Sequence, residues 1–135
     1  MTPVPGGARS ERGVVVVGPV GARAAGRLRL FRYEVRCWRD GAIPDVAEAV
    51  ESPMSLTEDS SVAERVLELV PAVPALTWGR DESGAGEMWN SNSLTSWLIV
   101  RVGLDVESIR LPAGGRAPGW DAGIAVARAT SSSYA

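Results

Sequence analysis

The sequence predicts a single α+β domain with a small antiparallel sheet of about three to five strands and two or three helices. Two strand-like segments come first, helical patterns lie between, and another alternating segment comes last, which is the element order behind this prediction. The domain is expected over residues 13–129. Disordered segments are expected at 1–12 and 130–135, where small and polar residues leave too little apolar surface to offset the entropy of ordering.

The first two predicted strands open the domain. Residues 13–17 are a β-branched run that ends at a Gly-Pro turn signal. The second strand is expected over about residues 27–38. Its apolar residues change parity between Leu30 and Phe31, which predicts either a bulge there or a strand buried in part on both faces.

Two helices are predicted in the middle of the chain. A short one is expected over residues 44–50, which begin with a proline suited to the first helical turn. A clearer one is expected over residues 61–70, because Ser61 and Glu64 match a capping box and apolar residues then follow one helical face. Two prolines end that pattern.

The last two predicted elements are a helix and a strand. Residues 91–102 carry apolar side chains at helical spacing, and Gly103 is placed to cap the helix end. Residues 122–129 are predicted as the final strand, because Ile124 and Val126 would point to the same face.

The composition excludes several kinds of site. The chain has no histidine, no lysine and a single cysteine, Cys37, so it cannot form an intramolecular disulfide or the usual Cys/His zinc site, and no cofactor is expected. Cys37 lies among apolar strand residues and is expected to be a buried, inert thiol. No apolar run approaches the roughly 20 residues of a membrane-spanning helix. Residues 1–13 lack the pattern of a secretory signal, so a cytoplasmic location is expected.

The charge is unevenly distributed along the chain. Residues 1–39 hold eight Arg and two Glu, a net +6, whereas residues 40–135 hold six Arg and fourteen acids, a net −8. The basic segment could be an arm for nucleic acid, or it could pack against the acidic remainder. The overall pI of about 5.2 favours internal neutralisation, so no nucleic-acid partner is expected, and the partner is an unidentified ligand or protein.

Two further groups of residues invite a functional hypothesis but favour a structural one. Glycines after the first strand match neither a dinucleotide fingerprint nor a phosphate-binding loop, and a hairpin turn is favoured; they are Gly18, Gly21 and Gly26. Three carboxylates in a Gly-rich loop could serve a cation or acid–base chemistry, but they lack the ligand alternation of a calcium loop; they are Asp81, Glu82 and Glu87.

The segment from Trp89 to Ser93 is the strongest candidate site. It places Asn90, Ser91, Asn92 and Ser93 at the start of a predicted helix, where free backbone N–H groups and the helix dipole stabilise an anion or a developing oxyanion. The alternative is that Asn90, Asn92 or Ser93 is only an N-cap, which contributes about 1 kcal/mol.

This segment resembles that of a bacterial family of unknown function. Residues 88–94 read Met-Trp-Asn-Ser-Asn-Ser-Leu and are followed by a helix and by Leu-Pro-Ala at 111–113, whereas that family has Gly-Pro-Asn-Ser-Asn-Thr-Phe and a later Leu-Pro-Pro. Residues 32–35, Arg-Tyr-Glu-Val, are similar to a stretch of that family that precedes Gly-Trp. The resemblance covers roughly residues 13–120.

The same segment is similar to the Asn-Cys-Asn-Thr-Phe block of circularly permuted papain-like proteins, such as NlpC-type peptidases and lecithin:retinol acyltransferase-like proteins. In those proteins the cysteine begins a helix and an earlier strand supplies a histidine. The resemblance implies a permuted papain-like topology in which Ser91 occupies the cysteine position, while no residue matches the histidine.

The residues support three functional hypotheses. The leading one is a non-catalytic papain-like domain with a polar pocket at a helix start, where Trp89 and Trp120 form walls, because a serine without an adjacent base is a poor nucleophile. The second is a serine-dependent amidase or esterase that uses Ser91 with Asp81 or Glu82. The third is a protein-interaction module, suggested by the five tryptophans in the chain.

Overall fold

The structure is a computed structural model that describes residues 14–24, 31–37, 55–110 and 114–132. Within these ranges it has the predicted α+β class, with a two-stranded antiparallel sheet and three helices. The elements are β1 (Val14–Pro19), β2 (Arg32–Arg36), α1 (Ser60–Leu69), α2 (Ser91–Val102) and α3 (Trp120–Ser132). The short helix expected over residues 44–50 lies outside the described residues. None of the helices in the described ranges is long and apolar enough to cross a membrane.

The sheet has two strands in the described part of the chain, fewer than the three to five predicted. β1 pairs with β2 in an antiparallel register from Val14 opposite Arg36 to Pro19 opposite Arg32, with an irregularity between Val14 and Val16. The irregularity therefore lies on β1, whereas the bulge was expected near Leu30 and Phe31, of which Leu30 lies outside the described residues. Trp78 extends the pairing, because it bridges Val20 on one side and Trp89 on the other.

Tyr33 ties the sheet to the chain segment that follows α1. Its ring lies over Gly18, where a Cβ atom would overlap the ring, so this glycine is needed for close approach inside the sheet. The Tyr33 hydroxyl donates a hydrogen bond to the carbonyl of Leu76 at 2.6 Å. The ring also packs on Trp78 with centroids 4.8 Å apart. Burial raises the pKa of the Tyr33 hydroxyl, which keeps it a hydrogen-bond donor.

The N-cap of helix α1 lies two residues before the predicted one. It is Asp59, whose carboxylate accepts hydrogen bonds from the Ser61 backbone N–H at 2.9 Å and from the Ser61 hydroxyl at 2.7 Å. The predicted capping box of Ser61 and Glu64 is therefore wrong. The aspartate precedes both residues and is a charged acceptor, which favours it at the positive end of the helix dipole. A short 3-10 turn at Val70–Ala72 follows the helix.

Helix α2 has the predicted bounds, and Gly103 ends it with φ of 89°, as expected for a left-handed cap. Residues 122–129 belong to helix α3, so the strand predicted there is wrong. The buried face of α3 consists of Ala122, Gly123 and Ala127, which recur at helical spacing. The strand prediction depended on the large apolar residues Ile124 and Val126, whereas the buried face of the helix consists of small residues.

The contact between α2 and α3 is close because small residues face each other. A Cβ atom at Gly123 would overlap the carbonyl of Ser93 and the hydroxyl of Ser96. The Ser96 hydroxyl lies within hydrogen-bond distance of the carbonyls of Ser93 and Trp120, at 3.1 and 2.7 Å. The core of the domain continues from this contact toward the sheet, with a cluster of buried residues: Val16, Val73, Trp89, Trp97 and Ala127.

We predict that Gly123→Ala lowers the free energy of unfolding by about 1–3 kcal/mol, because the added methyl group overfills the α2–α3 contact. Helix propensity alone predicts the opposite sign, a gain of about 1 kcal/mol. Urea unfolding followed by tryptophan fluorescence measures the difference. The control is Ala125→Gly at an exposed position of the same helix, where a loss of about 1 kcal/mol from propensity alone is expected. A stabilised Gly123→Ala variant would show that α2 and α3 do not approach this closely.

Candidate functional site

The polar segment at the start of α2 forms a reciprocal cap. Asn90 is the N-cap, and its side-chain oxygen accepts hydrogen bonds from the backbone N–H groups of Asn92 at 2.9 Å and of Ser93 at 3.3 Å. The Ser93 hydroxyl in turn accepts the Asn90 backbone N–H at 3.0 Å. The backbone donors at this helix start are thus satisfied in part by the chain itself.

The same side chains join α2 to the start of α3. The side-chain amides of Asn90 and Asn92 donate to the Pro118 carbonyl at 2.8 and 2.9 Å. The Ser93 hydroxyl, which is fully buried, donates to the Gly119 carbonyl at 2.7 Å. Gly119 has φ of 91°, and a Cβ atom there would overlap the Asn90 carboxamide. Three of the predicted site residues, Asn90, Asn92 and Ser93, therefore hold the two helices together.

Ser91 differs from these neighbours. It is the first residue of α2 and its side chain is exposed. Its carbonyl accepts a hydrogen bond from the Thr95 hydroxyl at 2.9 Å, as in many helix interiors. Among the residues that the structure describes, the Ser91 hydroxyl makes no hydrogen bond to a basic or acidic side chain.

The tryptophans lie in different surroundings. Trp89 is 1% exposed and Trp97 is 2% exposed, so both belong to the core. Trp89 is therefore not placed as a wall of an open pocket. Trp120 is half-buried as the first residue of α3 and does line a cleft. Trp78 is half-buried against Tyr33, and Trp38 lies outside the described residues.

An open cleft of about 590 Å³ lies beside the start of α3; we call it the α3 cleft. Its lining residues include Glu87, Arg116, Trp120 and Asp121, together with Ile109 and part of the loop before α3. The Glu87 carboxylate accepts the Asp121 backbone N–H at 3.0 Å. A carboxylate of the chain therefore already occupies the positive end of α3, where the helix dipole favours negative charge.

The three predicted loop carboxylates do not converge. Asp81 accepts the backbone N–H groups of Ala85 and Gly86, each at 2.9 Å, and so closes its own loop. Glu82 accepts the Thr77 backbone N–H at 2.6 Å, and hydrogen bonding from Thr77 lowers the pKa of this carboxyl group. Only Glu87 lines the α3 cleft. Within the described ranges, no group of three or more His, Cys, Asp or Glu side chains is arranged to hold a metal ion.

The other candidates from the sequence lie in or beside the sheet. Gly18 is the fifth residue of β1 and faces Tyr33, and Gly21 turns the chain after β1 with φ of 77°. Gly26 lies outside the described residues. Cys37 is half-buried directly after β2. One ion pair joins the basic and acidic parts of the chain here, between Arg23 and Glu82 at 3.4 Å.

Sequence reasoning missed two of the residues that line the α3 cleft. Asp121 directly precedes the segment predicted as a strand, and Arg116 lies in the loop before it. The available signal was an acidic residue just after a Gly-Trp pair, since acids are favoured in the first turn of a helix. Recognising that helix start would have placed both residues near its N-terminus.

Comparison of the chain with protein-family models, with curated proteins and with solved structures found no match. The papain-like resemblance therefore has no independent support from relatives. A function for this chain has to be inferred from the geometry of the described residues.

We predict that Ser93→Ala and Ser91→Ala have very different effects on stability, although the chemical change is the same. Ser93→Ala removes a buried hydroxyl that satisfies the Asn90 N–H and the Gly119 carbonyl, so a loss of about 1–3 kcal/mol in the free energy of unfolding is expected. Ser91→Ala removes an exposed hydroxyl and is expected to stay within about 0.5 kcal/mol of the parent. Chemical denaturation of the three proteins measures both values. Equal losses would contradict the division between a structural and an exposed serine.

Proposed function

We propose that this protein is a non-catalytic α+β domain that binds a small charged ligand in the α3 cleft. The hydrogen bonding at the start of α2 carries the proposal. The Asn90 side chain accepts the backbone N–H groups of Asn92 and Ser93, which are donors that a developing oxyanion would need at this helix start. The remaining hydroxyl, that of Ser91, is exposed and makes no hydrogen bond to a base within the described ranges.

The chemistry of Ser91 supports the non-catalytic part of the proposal. An alcohol needs an adjacent base to act as a nucleophile near neutral pH, and the chain contains neither the histidine nor the lysine that usually provides it. The carboxylates of Asp81 and Glu82, considered as substitutes, are hydrogen bonded within their own loop or to Thr77. The position of Ser91 as the first residue of α2 agrees with the proposed papain-like ancestry, since the cysteine of those enzymes also begins a helix.

The lining of the α3 cleft supports a ligand with both a positive and a negative group. The carboxylates of Glu87 and Asp121 can hydrogen bond an ammonium group, and the guanidinium of Arg116 is suited to a carboxylate or a phosphate. The half-buried ring of Trp120 offers a face for the body of the ligand. The volume of about 590 Å³ falls within the range of small-molecule sites.

We predict that a fluorophosphonate probe does not label Ser91 and that the protein does not hydrolyse a panel of esters and amides. Mass spectrometry of the probe-treated protein gives the labelling, and Ser91→Ala serves as the matched variant. Labelling or turnover that disappears in Ser91→Ala, while circular dichroism is unchanged, would refute the non-catalytic proposal in favour of a serine-dependent amidase or esterase.

We predict that free amino acids bind the α3 cleft in a saturable way and that each charge of the ligand contributes. Removing the amino or the carboxyl group of the ligand should weaken binding by at least about tenfold, since a hydrogen bond to a charged group contributes about 1.5–3 kcal/mol. Asp121→Asn and Arg116→Gln should weaken binding to a similar extent by isothermal titration calorimetry.

The matched control for these variants is Glu34→Gln, which changes an exposed acid on β2, away from the cleft. The affinity of this variant for free amino acids should equal that of the parent protein. Failure of every amino acid in the panel to bind, or equal weakening by the control variant, would contradict this assignment of the ligand.

A further inference from the structure

A second concave surface, unrelated to the α3 cleft, lies between α1 and α2. We call it the α1–α2 groove. It has a volume of about 500 Å³ and an almost entirely apolar lining, which includes Leu56, Val66, Leu67, Leu98 and Leu104. Helix α2 therefore uses two faces, because Ser93 and Ser96 face α3 while Leu98 faces this groove.

The groove leaves large apolar side chains uncovered. Leu67 is 58% exposed and Leu56 is 44% exposed, although both line it. None of the ten residues of α1 is buried, and its groove-lining residues Ala63, Val66 and Leu67 lie at helical spacing. A contiguous apolar surface of this kind is typical of an interaction site.

The segment that forms one side of the groove is acidic. Residues 55–69 contain four acids and one Arg, a net charge of −3. Glu64 and Glu68 are one turn apart on α1, directly after Ala63 and Leu67, which line the groove. Asp105 follows Leu104 and lies near Leu56, at the end of the groove where residue 55 begins this segment. This acidic flank favours a partner with positive charges beside an apolar centre, because opposite charges steer association and select the partner.

We infer that the α1–α2 groove docks an amphipathic helix of another protein, with an apolar ridge flanked by Arg or Lys. Helices that bind in grooves use apolar anchors at positions i, i+3, i+4 and i+7, which matches a groove bordered by two helices. The ten residues of α1 extend over about 15 Å, so two to three turns of a partner helix can contact it. The basic side chains of the partner would lie against Glu64, Glu68 and Asp105.

The test uses the full chain and two synthetic helical peptides labelled with fluorescein. Both carry Leu at i, i+3, i+4 and i+7; one has Arg at the flanking positions and the matched control has Glu there. Fluorescence anisotropy should show saturable binding of the Arg peptide and at least tenfold weaker binding of the Glu peptide. Raising the salt concentration should weaken binding of the Arg peptide, because salt screens the interaction between solvent-exposed flanking charges.

Variants of the protein separate specific docking from general charge attraction. Leu67→Ser should weaken binding of the Arg peptide by about tenfold, because the variant removes apolar surface that the partner helix would bury. The double variant Glu64→Gln/Glu68→Gln should reduce both the affinity and its dependence on salt. Val17→Thr, a change at an exposed apolar residue of β1, is the control and should leave binding unchanged. Circular dichroism of each variant verifies that the fold is retained.

Several outcomes would overturn the inference. The two peptides could bind equally, or Leu67→Ser could bind the Arg peptide as well as the parent does. The Arg peptide could also fail to bind because the groove is already filled. If sedimentation equilibrium then shows a dimer that Leu67→Ser dissociates, the occupant is a second copy of this chain. If the parent is monomeric, another part of the same chain covers the groove.

Discussion

The rest of the structure depends on the close contact between the starts of α2 and α3. Gly123 brings the two helices together, and the buried Ser93 hydroxyl can then reach the Gly119 carbonyl at 2.7 Å. The side-chain amides of Asn90 and Asn92 complete the connection through Pro118. The bond from Ser93 satisfies a buried main-chain carbonyl that would otherwise be left without a partner. The contact thereby determines where the α3 cleft opens and which face of α2 remains for α1.

This arrangement also decides what the two helix starts can do chemically. The N-terminus of α2 receives the side-chain oxygen of Asn90, and the N-terminus of α3 receives the carboxylate of Glu87. Both positive helix ends are therefore used to stabilise groups of the chain itself. The proposed ligand of the α3 cleft would then be recognised by side chains of lining residues such as Arg116, Trp120 and Asp121. Such a site suits the binding of a charged ligand better than the stabilisation of an oxyanion.

Local signals explain why some elements could be predicted from the sequence and others could not. The bounds of α2 follow from the Asn-Ser segment and from Gly103, which act within one helical turn. The helical nature of α3 depends instead on Gly123 and Ala127, whose burial has meaning only against α2. The alternation of large residues in that segment suggested a strand, but packing overrode it. Likewise, Ser91 and Ser93 are chemically identical in sequence, and the carbonyl that distinguishes them lies 26 residues away.

Helix α1 connects the apolar groove to the stability of the fold. A helix of ten residues is too short to be stable alone, since isolated helices need about 12–15 residues even with favourable sequences. The carboxylate of Asp59 and the contact with α2 therefore support α1. Val66 of α1 lines the groove between the two helices. A partner helix that covers Leu67 would bury apolar surface on α1 that the domain itself leaves exposed. Docking in the groove and ordering of α1 are for this reason thermodynamically coupled, because a partner that binds only the ordered helix stabilises it by mass action.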